Sequence, residues 1–204
     1  VSRLNEVAAE VDVAFREYRF DLASQAIYSF TWNEYCDWYL ELSKVVLNDP
    51  KASAAAQRGT RRTLIRVLES LLRLLHPITP FITEEIWQRV AALAGKTGTT
   101  IMREPYPLAD TTVIDHEAVK EMRWVMSVVA GIRNIRGEMD IAPSKLLPVL
   151  LQDASTQDLA CLERNRATLT TLARTESITC LKPGDAAPES ATALVGNMQV
   201  LVPL

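Results

Sequence analysis

Two histidines and three cysteines among 204 residues leave little from which to build a metal centre or a nucleophilic dyad. His76 and His116 stand alone, and neither an HExxH nor a paired CxxC spacing occurs. Cys36, Cys161 and Cys180 are odd in number and far apart, which favours reduced thiols over a disulfide framework. Cys36, within an apolar helical stretch, reads as a small buried hydrophobe. Glycine is also sparse, at seven. Gly59, Gly95 and Gly98 make no glycine-rich turn between a strand and a helix, so no phosphate cradle is evident. No run of about 20 apolar residues is present to span a bilayer, and no secretory signal pattern opens the chain. An initiator methionine is missing as well: Val1-Ser2-Arg3-Leu4 enters directly into a helical pattern, as a piece of a longer protein does. Glu84-Glu85 read as first-turn residues facing a helix dipole rather than an acid/base pair. His76 reads as a last-turn residue near free carbonyls. The chain by itself has no evident active site.

What remains is an ordinary globular composition, 48% hydrophobic and 23% charged, long enough for a real core. A net charge of −3 argues against indiscriminate coating of nucleic acid, yet allows a local basic patch. Helical spacing predicts a first helix from Leu4 to about Tyr18 and a long second one from Asp21, as N-cap, to about Asn48. A third covers about Ala54 to His76, a fourth runs from Thr79-Pro80 to about Leu93, and a fifth starts near Asp115 and fades at Gly137. The stretch from Lys96 to Thr112 reads as loop. Ala142-Pro143-Ser144 looks like a domain boundary, after which the period changes. Leu146–Leu151 and Ser177–Leu181 read as strands, Thr156–Leu172 as a helix, and Thr192–Val202 as a hairpin turning at Gly196-Asn197. The expected fold is mainly α, a helical bundle over 1–142 followed by a small α+β domain (β-α-β-β-β) over 143–204.

The second helix carries the most informative pattern. Asn33, Asp37, Glu41 and Lys44 fall within about 80° of one another at ~100° per residue. Tyr28, Tyr35, Trp38, Leu42 and Val46 are expected to point the opposite way, into the core. Short hydrogen-bonding groups on an anchored helix are what reading a base edge requires, although a solvated face has the same pattern. The third helix is basic: six cations from Lys51 to Arg73 oppose the single carboxylate of Glu69. Arg58, Arg62, Arg66 and Arg73 share one face about 80° wide, suited to a phosphate backbone or simply to water. On the fifth helix Arg133 and Arg136 lie within or beside the apolar arc of Met122, Val125, Val129 and Ile132. Desolvating a guanidinium is costly, so these two are expected in a structural ion pair, or else on RNA.

Three blocks then carry a family resemblance. They are YRFDLASQAIYSFTWNEYCDWYLELSK, LLRLLHPITPFITEEIWQRV and IRNIRGEMDIAPSKLLPVLL. In that order they closely resemble the bacterial valyl-tRNA synthetases, in the part that follows the catalytic core. The middle block is shared widely among class I synthetases; CDWYLE with IRNIRGEM and the final VLVPL is more specific. The resemblance covers nearly the whole chain, from about Leu4 to Leu204. It implies a class I synthetase anticodon-binding helical bundle followed by a small α/β junction domain. Neither a HIGH-type nor a KMSKS-type signature occurs, so the ATP and magnesium chemistry of such enzymes is expected outside this chain, which needs no cofactor of its own. The editing domain, the C-terminal coiled coil and the first helical pieces of the bundle are likewise expected to lie outside. The implied partner is the anticodon stem-loop of tRNA(Val), with the rest of the synthetase in cis, in a cytoplasmic monomer free of membrane. The implied contacts are Asn33, Asp37, Leu40, Glu41 and Lys44 on the anticodon-facing helix, with Leu40 against a base face, Asn33 and Glu41 on base edges, and Lys44 with Arg58 and Arg62 on the backbone; Arg66 is a further tRNA-binding residue, and Arg133 and Arg136 are structural or on RNA. The isoleucyl enzyme or another class I relative, and a helical protein-interaction module, are the alternatives.

Overall fold

The computed structural model describes residues 1–182 and 184–203. Helix α1 (Ser2–Arg16) leads through a tight turn, with Tyr18 at φ 57°, into α2 (Phe20–Ser29). The chain then continues helically through a π segment, Phe30–Tyr39, into α3 (Leu40–Leu47). Helix α4 (Ala54–Leu75) follows, its first turn capped by Ser53, whose Oγ accepts from the Ala56 amide at 3.1 Å. Pro80 opens α5 (Pro80–Val90), a position where its missing N–H costs nothing. Two short 3-10 turns, Ile101–Arg103 and Thr111–Val113, interrupt the loop. Helix α6 (His116–Glu138) precedes β1 (Leu147–Gln152), α7 (Thr156–Ala173), β2 (Thr175–Cys180), β3 (Ser190–Val195) and β4 (Met198–Pro203).

The chain divides into two compact units, Val1–His116 and Glu117–Leu204. The period change at Ala142–Ser144 marks where helix gives way to strand, but the units divide 26 residues earlier, at His116, by the difference between 142 and 116. All of α6 beyond its first residue thus belongs with the sheet. A local change of period does not report which neighbours a helix packs on.

In the first unit, Val7, Val11 and Ala14 of α1, Ala23 and Ile27 of α2, Phe30 and Tyr35 of the π segment, and Val67, Leu71 and Leu74 of α4 form one buried cluster. A second cluster gathers Leu72, Trp87, Ala91 and Ile101. Between them lies a buried charge. Glu69, 2% exposed, accepts from Arg73 Nε and Nη2, each at 2.8 Å, and from Trp87 Nε1 at 3.1 Å. The three donors offset the desolvation of this carboxylate.

The second unit is a four-stranded sheet in the order β2-β1-β4-β3, with β1 parallel to β2 and the other pairs antiparallel. The parallel pair requires a crossover, which α7 provides. Gly196-Asn197 forms the two-residue turn between β3 and β4, with Gly196 at φ 60°. The β-α-β-β-β order expected for this region is present. Helix α6 approaches β3 so closely that a Cβ at Gly131 would stand 3.1 Å from that of Ala193.

Candidate nucleic-acid interface

The long second helix forms as expected in extent but not in kind. Its centre, FTWNEYCDWY, takes i→i+5 bonds, about one residue more per turn, so each residue advances about 80° rather than 100°. Such widened turns are rare and tend to sit at functional positions. Asn33, Asp37 and Glu41, four residues apart, still share a face, now slightly short of a full turn. Tyr28 does not behave as expected: it is 66% exposed. Continuing at 100° per residue puts Tyr28 far from Asn33. The slower advance from Phe30 onward brings Tyr28 into line with Trp32, itself 56% exposed. Tyr35 is buried as expected, and Trp38, Leu42 and Val46 are half-buried.

Two ties fix the phase of this helix. The Tyr35 hydroxyl donates to the Leu64 carbonyl of α4 at 3.0 Å, and burial pushes its pKa up to about 12. Glu34 accepts a forked pair from Arg3 of α1, Nε at 2.9 Å and Nη2 at 2.8 Å. With Tyr35 and Glu34 held, the opposite side must face water. There Asn33 and Asp37 are exposed and have no hydrogen-bond partner among the described residues, and Leu40 is exposed beside them. Glu41 and Lys44 spend their charge on each other, Nζ to Oε1 at 2.5 Å. An exposed pair of this kind is worth little and yields readily to a ligand.

Helix α4 presents Arg58, Arg61, Arg62 and Arg66 exposed, and none of them pairs with a carboxylate among the described residues. The acidic second helix therefore does not neutralise them. Arg73, expected on the same face, is withdrawn from it: besides Glu69, its Nη1 donates to the Pro105 carbonyl at 2.6 Å. The free cations are the N-terminal ones, in the helix half farther from the Glu69 cluster.

Elsewhere the local expectations shift. Asp21 does not cap α2 but lies in its first turn, gripped by Arg19 at 2.9 and 2.6 Å, which lowers its pKa to about 2. His76 meets a side chain instead of carbonyls: Nδ1 lies 2.7 Å from Thr83 Oγ1, whose own proton goes to the Thr79 carbonyl at 2.8 Å. The ring therefore donates there. Glu84 sits past the first turn of α5 and pins the loop, accepting from Gln88 Nε2 at 2.5 Å, Thr100 Oγ1 at 2.7 Å and the Ile101 amide at 3.2 Å; these bonds lower its pKa. Glu85 pairs with Arg89.

Arg136 meets carbonyls where a carboxylate was expected, and Arg133 reaches a carbonyl of the same helix end. Arg136, 8% exposed, donates through Nη2 to Ala173 O at 3.1 Å and Arg174 O at 2.7 Å, and Arg133 reaches Leu172 O at 3.3 Å. These carbonyls end α7, where the helix dipole is negative and a cation is stabilised; that of Arg174 also accepts the Leu147 amide at 3.2 Å. The sequence carries no signal for this, because the partner is backbone. Burial raises the pKa of Cys161 and Cys180, so neither thiol is poised to react. No group of three or more His, Cys, Asp or Glu among the described residues is placed to hold a metal ion, and no helix is long and apolar enough to cross a membrane.

An exposed polar and aromatic line on one helix, with unpaired arginines on the next, is chemically suited to RNA. The chain belongs to the anticodon-binding domain family of tRNA ligases, whose model matches residues 1–151. Over all 204 residues it is 45% identical to the valine–tRNA ligase of Acinetobacter baylyi (strain ATCC 33305 / BD413 / ADP1), and it spans 21% of that protein's length. It is thus an anticodon-binding, mainly helical chain with a small four-stranded sheet in its C-terminal part.

Proposed function

We propose that this chain is the part of a valine–tRNA ligase that grips the anticodon stem-loop of tRNA(Val), while the rest of the enzyme attaches valine in an ATP-dependent reaction. The identity to a valine–tRNA ligase along the entire chain is the observation that carries this reading. The free arginines of α4 and the uncommitted amide and carboxylate of Asn33 and Asp37 support it. In this division of labour Arg58, Arg62 and Arg66 neutralise phosphates and set affinity without sequence information. Asn33, Asp37 and Glu41 offer base-edge hydrogen bonds, Leu40 packs on a base face, and Lys44, once released from Glu41, adds a phosphate contact. ATP and magnesium are held outside this chain. The enzyme works as a monomer in the cytoplasm, with the other domains in cis.

Titration into labelled tRNA(Val), and into the same tRNA with its anticodon replaced, at two salt concentrations, tests the reading. Tighter binding of the unaltered tRNA at both salts is expected. Equal binding of the two would remove base reading from this chain and leave only phosphate tracking.

A further inference from the structure

We infer that Tyr28 and Trp32 form a stacking platform for unpaired bases, next to the groups that read base edges. The inference rests on the RNA-binding reading above and adds a site to it. Both rings stand in water, at 66% and 56% exposure, while Phe30 and Tyr35 close by are buried in the core. The helix is therefore well anchored, and the exposure is not the result of loose packing. Neither the Tyr28 hydroxyl nor the Trp32 indole N–H has a hydrogen-bond partner, and neither ring contacts another ring, among the described residues.

Their placement matters more than their number. Tyr28 and Trp32 are four residues apart across the junction of α2 and the π segment, where two steps near 100° and two near 80° return almost to the same line. Neighbours at this spacing lie about 5–6 Å apart at Cβ and make one continuous aromatic strip. Asn33 follows Trp32 directly, and Asp37 lies one widened turn beyond Asn33. Stacking takes the face of any base, whereas Asn33 and Asp37 address only its edge. That combination recognises single-stranded RNA, because a base inside a duplex has no free face. The ligand is an unpaired loop nucleotide rather than a stem. The π segment turns the strip outward: in an unbroken α-helix Tyr28 would fall about 20° from the buried Tyr35, seven steps near 100° being just short of two turns.

Two RNA hairpins with the same stem distinguish the roles, one with an intact loop and one whose loop nucleotides are abasic. Trp32→Ala should bind the intact hairpin about 5- to 150-fold more weakly, the range set by ~1–3 kcal/mol per stacked base. Tyr28→Ala should lose a similar factor, and Trp32→Phe should retain most of the affinity. The wild-type chain should lose at least as much on the abasic loop, to which Trp32→Ala binds no worse than wild type. All should keep the same salt slope. Equal weakening on intact and abasic loops would overturn the platform. Salt-dependent binding that ignores both the loop bases and these substitutions would overturn it too, leaving phosphate binding intact. Failure of the wild-type chain to bind either hairpin at low salt would instead remove the RNA reading itself, and the platform with it.

Discussion

The five arginines of α4 divide into two kinds, and substituting them should produce two different phenotypes. Arg58, Arg62 and Arg66 are exposed and pair with no carboxylate among the described residues, so their removal leaves nothing unsatisfied. Each phosphate neutralised contributes about 0.9 to the slope of log affinity against log salt on a duplex. Three such contacts weaken binding about 40-fold between 50 and 200 mM salt, and one contact alone about 3.5-fold. The triple variant Arg58→Ala/Arg62→Ala/Arg66→Ala should therefore lose about 2.7 from the slope while unfolding at an unchanged urea midpoint. Arg73→Ala should do the reverse. It leaves Glu69 buried with only the Trp87 indole as donor, the situation that costs about 3–5 kcal/mol when one partner of a buried pair is removed. Fluorescence anisotropy with labelled tRNA at several salt concentrations gives the slope, and urea titration followed by circular dichroism gives the stability. An unchanged slope in the triple variant would make these arginines a solvated face and refute the argument. A loss below about 1 kcal/mol for Arg73→Ala would mean that Glu69 is adequately served without it.

Further consequences follow from single contacts. Glu41→Ala should cut the preference for the unaltered over the replaced anticodon by about 10-fold, within the ~1–3 kcal/mol of a base contact, and barely change affinity for the altered tRNA. A parallel loss on both would show that Glu41 does not read a base. Arg136→Met should cost about 2 kcal/mol, because charge-assisted bonds to the α7 carbonyls are lost, and a urea midpoint equal to wild type would show that water replaces them. Tyr35 and Tyr106 both titrate at about 12, raised by burial from 10.0. A raised folded-state pKa means stability that is complete below pH 10 and lost as pH climbs towards 12. Unfolding monitored with tyrosinate absorbance should show that loss, and Tyr35→Phe should lessen it. A transition of equal steepness in Tyr35→Phe and Tyr106→Phe would assign the alkaline loss to other groups.

Helix extents were readable because apolar residues recur at helical spacing and because Pro50, Pro77 and Pro80 punctuate them. The hairpin at Gly196-Asn197 was equally legible, since few dipeptides favour such a turn. Tyr28 was misread for a definite reason: its direction depends on turn width, and a π turn depends on Tyr35 and Glu34 being held by α4 and α1, which are distant in sequence. Arg73 was misread because the Pro105 carbonyl it reaches and the Trp87 indole that shares Glu69 lie on later segments, which periodicity does not show. Arg136 was expected opposite a carboxylate because sequence patterns show side chains and never which backbone carbonyls the end of a helix will present.

Local chemistry alone therefore determined the helical first part, the β-α-β-β-β order of the second and the concentration of arginine on α4. These depend on propensity, period and composition, which act over a few residues. Only the tertiary structure decided that α6 goes with the sheet, which arginines are free, and that an aromatic pair stands beside Asn33 on the surface. Each depends on contacts between residues far apart in sequence, such as Tyr35 with Leu64, Arg73 with Pro105 or Arg136 with Arg174, and such a contact exists only once the chain has closed on itself.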